Sequence, residues 1–247
     1  MNTIFVHRDG RTEQVTSIDR SWLSPAAGAY IWVDLAAPSI PESLMLSDTF
    51  AFHRLPVDEA MAQSLTPKID AYDGYLFAAI AAADADAGFF VGAHYIVSVH
   101  WRESKAIADQ IDSVRHGGKQ FSEGPFAMLH RLVDAMVGSF TSPVDALRAS
   151  AEAIETRLLE KPTSAAVREA VGTRSDAFAL MQRLSREAEA IGRLAARDIV
   201  AIGDEMSIRF RDVRNQLVRL ADAATAIDRR LGDVLTAAGA AERRRWI

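Results

Sequence analysis

The sequence predicts an α/β (α+β) architecture. An N-terminal α/β sandwich head with a mixed or antiparallel sheet is followed by long antiparallel helices and a projecting C-terminal stalk helix. Three observations carry this. Residues 1 to 100 hold most of the prolines, aromatics and β-branched runs, the chemistry of strands and turns. The remainder repeats apolar residues at helical spacing with few breakers. From Met206 onward the spacing becomes a four-three stripe: Met206, Phe210, Val213, Leu217, Leu220, Ala224, Ile227, Leu231, Val234, Ala238 and Ala241. No proline interrupts it, and Gly232 and Gly239 lie off it, so one long helix with a heptad face is expected.

In chain order, Thr3–His7 and Glu13–Thr16 flank Asp9-Gly10 and read as a hairpin. Tyr30–Leu35 reads as a buried strand. Pro41–Phe50 and Pro56–Ser64 read as short helices, each with proline at or near its first turn. Lys68–Tyr72, Tyr75–Ala82, Gly88–Ala93 and Tyr95–His100 follow, the last two as adjacent antiparallel strands. Ser104–His116 is an amphipathic helix. Phe126–Glu160 has helical periodicity with a kink or break expected at Ser142-Pro143. Lys161–Ser164 is a turn in which Thr163 or Ser164 caps the next helix, Ser164–Ile199. A break near Gly203-Asp204 precedes the final stripe. The domain reading is therefore a head over residues 1–120, a long helical hairpin packed on it over 121–203, and a stalk helix over 204–247.

Composition narrows the function. The chain has 247 residues, a net charge of −5 and no cysteine. A general nucleic-acid surface is not expected from that charge. Disulfides, thiolate zinc sites and cysteine nucleophiles are excluded. No secretory leader is read at the N-terminus, and no apolar run approaches the roughly 20 residues of a membrane span. The final residues, Glu242-Arg243-Arg244-Arg245-Trp246-Ile247, place a basic cluster and a tryptophan at the end of a long helix. This is the pattern of a helix nearing a membrane from the cytoplasmic side.

No catalytic constellation is present: no Gly-rich phosphate loop, no nucleophile elbow, no His-Glu-x-x-His. The chain is read as a non-enzyme. His94 and His100 share one strand face, and a structural role is the simpler reading of both. The acidic pair Asp58-Glu59 follows Pro56 in what reads as the first turns of a helix. Dipole complementation is its plain explanation. The alternative is an oxygen-ligand site for a hard cation, which needs a further carboxylate. The final helix offers Asp212, Asp222, Asp228 and Asp233, all off the apolar stripe. Their plain reading is solvated surface paired with Arg209, Arg211, Arg214 and Arg219.

The segment Phe52-His53-Arg54-Leu55-Pro56-Val57-Asp58-Glu59-Ala60-Met61, followed by Thr66-Pro67-Lys68 and the strand to Tyr75-Leu76-Phe77, resembles the cytosolic domain of the CorA family of Mg²⁺ transporters. Trp32-Val33-Asp34-Leu35 with Pro38, Tyr95–His100, and Phe210-Arg211-Asp212-Val213 extend the resemblance, in order, along nearly the whole chain. Some positions depart from it. His53-Arg54-Leu55 stands for the family's His-Pro-Leu, Asp58-Glu59 for Glu-Asp, and Thr66-Pro67-Lys68 for Arg-Pro-Lys. The family's Gly-Met-Asn signature is absent.

The resemblance implies a cytosolic metal-sensing domain on the inner face of the cell membrane. It also implies assembly as a homopentamer and membrane attachment through helices beyond Ile247, with Arg243, Arg244, Arg245 and Trp246 membrane-proximal. Mg²⁺ would bind between protomers, bridging Glu59 of the head to Asp212 of a neighbour's stalk, with Asp58 available to a second ion. Asp222, Asp228 and Asp233 would be pore-facing stalk residues. Bound ion would keep the pore closed. Zn²⁺, Co²⁺ and Ni²⁺ are alternative ions. The ZntB-like zinc branch of the superfamily is the second reading, in which His53, His94, His100 or His116 would matter more. A coiled-coil interaction protein without a transport role is the third.

Overall fold

The computed structural model describes residues 2–117, 119–196, 199 and 202–244. The N-terminal hairpin pairs β1 (Asn2–Arg8) with β2 (Arg11–Val15). Asp9 and Gly10 both take positive φ, 52° and 72°, as a two-residue type I′ turn demands. β3 (Tyr30–Ala36) adds antiparallel to β1. Further on, β4 (Lys68–Tyr72), β5 (Tyr75–Ile80), β6 (Ala87–Gly92) and β7 (Tyr95–His100) form an antiparallel meander. The sheet order is β2-β1-β3-β7-β6-β5-β4. Its one parallel pair, β3 with β7, makes the sheet mixed, as expected.

Helices cover both faces. On one, α1 (Ile40–Asp48) and α2 (Arg54–Ala60) supply Leu46, Val57 and Ala60. With Phe50 and Phe52 just after α1, these meet Ile31, Val33, Leu35, Phe77, Phe90, Val97 and Val99 of the sheet. Ser39 opens α1 by donating its backbone N–H to the Glu42 carboxylate at 2.7 Å, half of a capping box. On the other face lie α3 (Lys105–Arg115) and α4 (Pro125–Gly138), whose Met128, Leu129, Leu132, Val133 and Met136 are all fully buried. The break in the next helical run comes at Ser139-Phe140, not at Ser142-Pro143. Pro143 instead sits in the first turn of α5 (Thr141–Glu160), where its missing N–H costs no hydrogen bond.

Two sequence positions on the second face are polar and buried. Asp34 of β3 and Ser98 of β7 are register partners, 3% and 0% exposed. Trp32 Nε1 donates to Ser98 Oγ at 3.1 Å, and the Ser98 hydroxyl donates to Asp34. His100 completes the set, Nε2 donating to Asp34 at 3.4 Å and Nδ1 to the Arg102 carbonyl at 2.7 Å. The structural reading of His100 therefore holds.

The remaining helices are α6 (Ser164–Ala195) and α7 (Asp204–Arg244). Thr163 Oγ1 caps α6 by accepting the Ala166 N–H at 3.2 Å, as its sequence suggests. The chain divides into two compact units: Met1–Ser139 with Glu189–Arg214, and Phe140–Ala188 with Asn215–Ile247. The first holds the sheet and α1 to α4. In the second, α5, α6 and α7 share a core. Ala151, Ile154 and Leu158 meet Ala166, Ala170 and Ala177, together with Ile227, Leu231 and Val234 of the stripe. Three small residues on α6 let its backbone approach closely. Arg157 reaches Glu169 at 2.7 Å across the α5–α6 turn, as antiparallel neighbours do. Among the described residues no helix is long and apolar enough to cross a membrane.

The buried His100–Asp34 pair makes a pH prediction. Burial alone would push the His100 imidazole down, but the Asp34 carboxylate outweighs it and raises the pKa above the ordinary 6.5. The folded chain thus holds the proton more tightly than the unfolded one. The resulting stability is complete below the ordinary value and is lost as pH rises through the raised one. His130 shifts the opposite way, lowered mainly by burial, so the test is a difference. Between about pH 6 and pH 9, urea unfolding of the wild type should lose more stability than that of His100→Gln. Parallel pH profiles would contradict the assignment.

Candidate metal centre

The acidic pair does not sit where the sequence placed it. α2 begins at Arg54 behind His53, and its first turn carries no acid. Asp58 and Glu59 fall in its second half, so complementation of the helix N-terminus does not explain them. The helix starts early because Pro56 is tolerated anywhere in a first turn, and Arg54 and Leu55 precede it there. His53 is fixed by Tyr75, whose hydroxyl accepts its backbone N–H at 3.0 Å.

The two acids have different surroundings. Asp58 is exposed and pairs with Arg54 at 3.2 Å, one turn away. Glu59 faces the start of β4. Its Oε2 lies 2.5 Å from Lys68 Nζ, with the two side chains 33% and 29% exposed. Lys68 also reaches Asp70 at 2.9 Å and lies 5.6 Å from the centre of the Phe77 ring. Arg193 pairs with the other Asp70 oxygen at 3.6 Å. Partial burial opposes the Lys68 charge, but hydrogen bonds to Asp70 and Glu59 prevail and raise its pKa above the usual lysine value. A pocket of about 200 Å³ opens between Glu59, Lys68, Ser64 and Thr66.

Asp212 lies on α7, two residues past Phe210, which is fully buried and packs edge-on against His130 at 5.4 Å. Asp212 itself is exposed. Ile208, one turn earlier and so on the same side of the helix, is 50% exposed. The other acids of α7 differ. Asp228 is held at 2.8 Å by Arg174 of α6, whose guanidinium lies against Gly232, one turn on. Asp222 and Asp233 are exposed. Arg209 pairs with Glu205 and Glu123 rather than with an aspartate of its own helix. The side chains of Arg243 and Arg244, and the whole of Arg245 and Trp246, lie outside the described residues.

Among the described residues no group of three His, Asp or Glu side chains is placed to hold one metal ion. Any ion at Glu59 or Asp212 would complete its shell with hydroxyl or carbonyl oxygens, water or a second molecule. The donor set fits a hard cation: carboxylate oxygens with room for retained water. Zinc sites commonly include imidazole, and several histidines here have other contacts. His100 is committed to Asp34, His53 packs on Tyr72 at 5.3 Å, and His116 Nδ1 bonds the Asp112 carbonyl. The residue that sequence reasoning left out is Lys68. It stood within the Thr66-Pro67-Lys68 motif, and Pro67 before a strand was the available sign that its position is fixed.

The family model of the CorA-like Mg²⁺ transporter protein matches residues 27–241. YfjQ of Bacillus subtilis (strain 168), a proposed metal ion transporter, is 24% identical over 200 residues, 78% of this chain and 63% of YfjQ. The fold is that of the soluble domain of CorA from Methanocaldococcus jannaschii, with a TM-score of 0.77 at 15% identity, covering 94% of this chain and 95% of that one. The complete CorA magnesium transporter of that organism gives 0.82 at 14% identity, covering 100% of this chain and 78% of its own. The ZntB cytoplasmic domain of Vibrio parahaemolyticus RIMD 2210633 gives 0.80 at 10%, covering 98% of each. The expected architecture is thereby shown, and the ZntB cytoplasmic domain shares it.

The contrast between Asp58 and Asp228 is measurable as stability. Asp58→Ala should change urea unfolding by less than about 0.5 kcal/mol, because an exposed i,i+4 pair contributes little. Arg174→Ala, which strips Asp228 of a partner in a half-buried setting, should cost about 1 kcal/mol. A larger loss for Asp58→Ala than for Arg174→Ala would contradict these placements.

Proposed function

The chain belongs to the CorA-like Mg²⁺ transporter protein family, and on that premise we propose that it is the metal-sensing domain of a divalent-cation transporter. In this reading the chains assemble as a homopentamer at the cytoplasmic face of the inner membrane and continue into membrane helices. The sensor lies between protomers: Glu59 of one and Asp212 of the next, with Asp58 available to a second ion. Asp222, Asp228 and Asp233 are the acids of α7 assigned a pore-facing role, Asp228 with Arg174 as its partner.

The observation that carries this reading is the exposure of Asp212 and Ile208, one turn apart on the same side of α7. Exposure leaves the Asp212 carboxylate accessible to an ion shared with a second copy. Carboxylates brought together at such a surface repel. Mg²⁺, when bound, supplies the positive charge that removes this repulsion. Glu59 and Asp212 orient toward it and hold their protomers in one arrangement, and separation exposes both to water. The ion shifts the balance only by its preference for the joined state.

Limited proteolysis tests the assignment. With the ion at about ten times its dissociation constant, digestion of the wild type should slow about tenfold. Glu59→Ala and Asp212→Ala should each abolish the effect. Unchanged protection in both variants would refute the site. Zinc, cobalt and nickel salts run in parallel distinguish the ions. The ZntB-like alternative would show protection by Zn²⁺ that depends on His53, His94 or His116 instead.

A further inference from the structure

Glu59 is not an open carboxylate. Within a single chain it already holds a cation, the Lys68 ammonium, at 2.5 Å. Lys68 is anchored at the first residue of β4, opposite Ala79 of β5, so its side chain pivots from a fixed point. In the same position it touches two other groups. Asp70 lies 2.9 Å from the same nitrogen, and the Phe77 ring offers its face. The pocket beside Glu59, about 200 Å³, has space for an ion keeping several waters at roughly 30 Å³ each.

We propose that Lys68 is a built-in competitor for the metal: it bridges Glu59 and Asp70 when the ion is absent, and withdraws from Glu59 while keeping Asp70 when the ion arrives. This rests on the assignment of Glu59 as an ion ligand. A tethered ammonium has a high local concentration at Glu59, so free ion must exceed a threshold before it displaces the lysine. The same contact neutralises Glu59 in the ion-free state, which weakens carboxylate repulsion there. Arg193 keeps Asp70 paired on its other oxygen at 3.6 Å. Withdrawal therefore gives up the Glu59 contact alone and leaves the lysine paired with Asp70.

The mechanism makes two predictions of opposite sign. Lys68→Met removes the competitor while keeping an apolar side chain of similar reach. The Mg²⁺ concentration for half-maximal protease protection of the full chain should fall about fivefold, the upper range for a partly exposed ion pair. Asp70→Asn removes the second carboxylate of the bridge, leaves the ammonium to Glu59, and should raise that midpoint. General loss of structure would move both variants the same way, and thermal melts of each identify it. Lys68→Gln serves as a second charge-neutral variant.

If Lys68→Met and Lys68→Gln titrate like the wild type while Glu59→Ala abolishes protection, Lys68 is no competitor although the site stands. A shift of Asp70→Asn in the same direction as Lys68→Met overturns the withdrawal step. If Glu59→Ala itself responds like the wild type, the site assignment is what fails.

Discussion

The parallel pairing of β3 with β7 joins two pieces that would otherwise be separate. On one side is the N-terminal ribbon β2-β1-β3, and on the other the meander β7-β6-β5-β4. Their register partners, such as Asp34 and Ser98, are 64 residues apart in sequence, so this closure carries a large entropic cost. It is also where the sheet buries its polar side chains. Trp32, Ser98, Asp34 and His100 satisfy one another across the seam. A one-residue slip would turn Asp34 toward the apolar layer of Ile31, Val33 and Val97, where it would lack partners. The network therefore selects the register as well as stabilising it, and the helices on both faces take their positions from that sheet.

The candidate metal centre inherits this order. α2 lies on the apolar face through Val57 and Ala60, which leaves Glu59 turned toward the β4 end. β4 is the far strand of the meander, and its first residue delivers Lys68 to Glu59. Charges there are balanced within the chain: Glu59 and Asp70 against Lys68 and Arg193. A locally neutral cluster beside a small pocket differs from a bare acidic patch, because an arriving cation must compete for it. Asp212 has the opposite character. It is exposed on α7, one turn from the half-exposed Ile208.

Much of this was legible in the sequence because the signals were local. Asp9-Gly10 specified its turn, Thr163 its cap, and the stripe from Met206 its helix. The boundary at Ser139-Phe140 was not, because proline in a first turn and proline at a kink look alike until the helix start is known. The same ambiguity at Pro56 placed Asp58 and Glu59 one turn too early in their helix. The partners of charged side chains were the least legible. Arg209 turned to Glu123, 86 residues away, and Lys68 to Glu59, because such pairs depend on which elements the fold brings together. His100 and Asp34 were visible only as a polar residue in each of two apolar strands. Their meeting required the parallel pairing, which no local signal announces.

Family membership and fold set the frame, and the functional claim within it is that one ion joins Glu59 of one protomer to Asp212 of another. Subunit mixing tests that most directly. Full-length chains carrying Glu59→Ala and chains carrying Asp212→Ala are assembled together, and Mg²⁺-dependent protease protection is compared with that of each parent alone. At some interfaces the mixed assembly brings an intact Glu59 against an intact Asp212. The expected result is partial recovery of protection that neither parent shows. No recovery in assemblies verified to contain both chains would contradict a bridge between protomers.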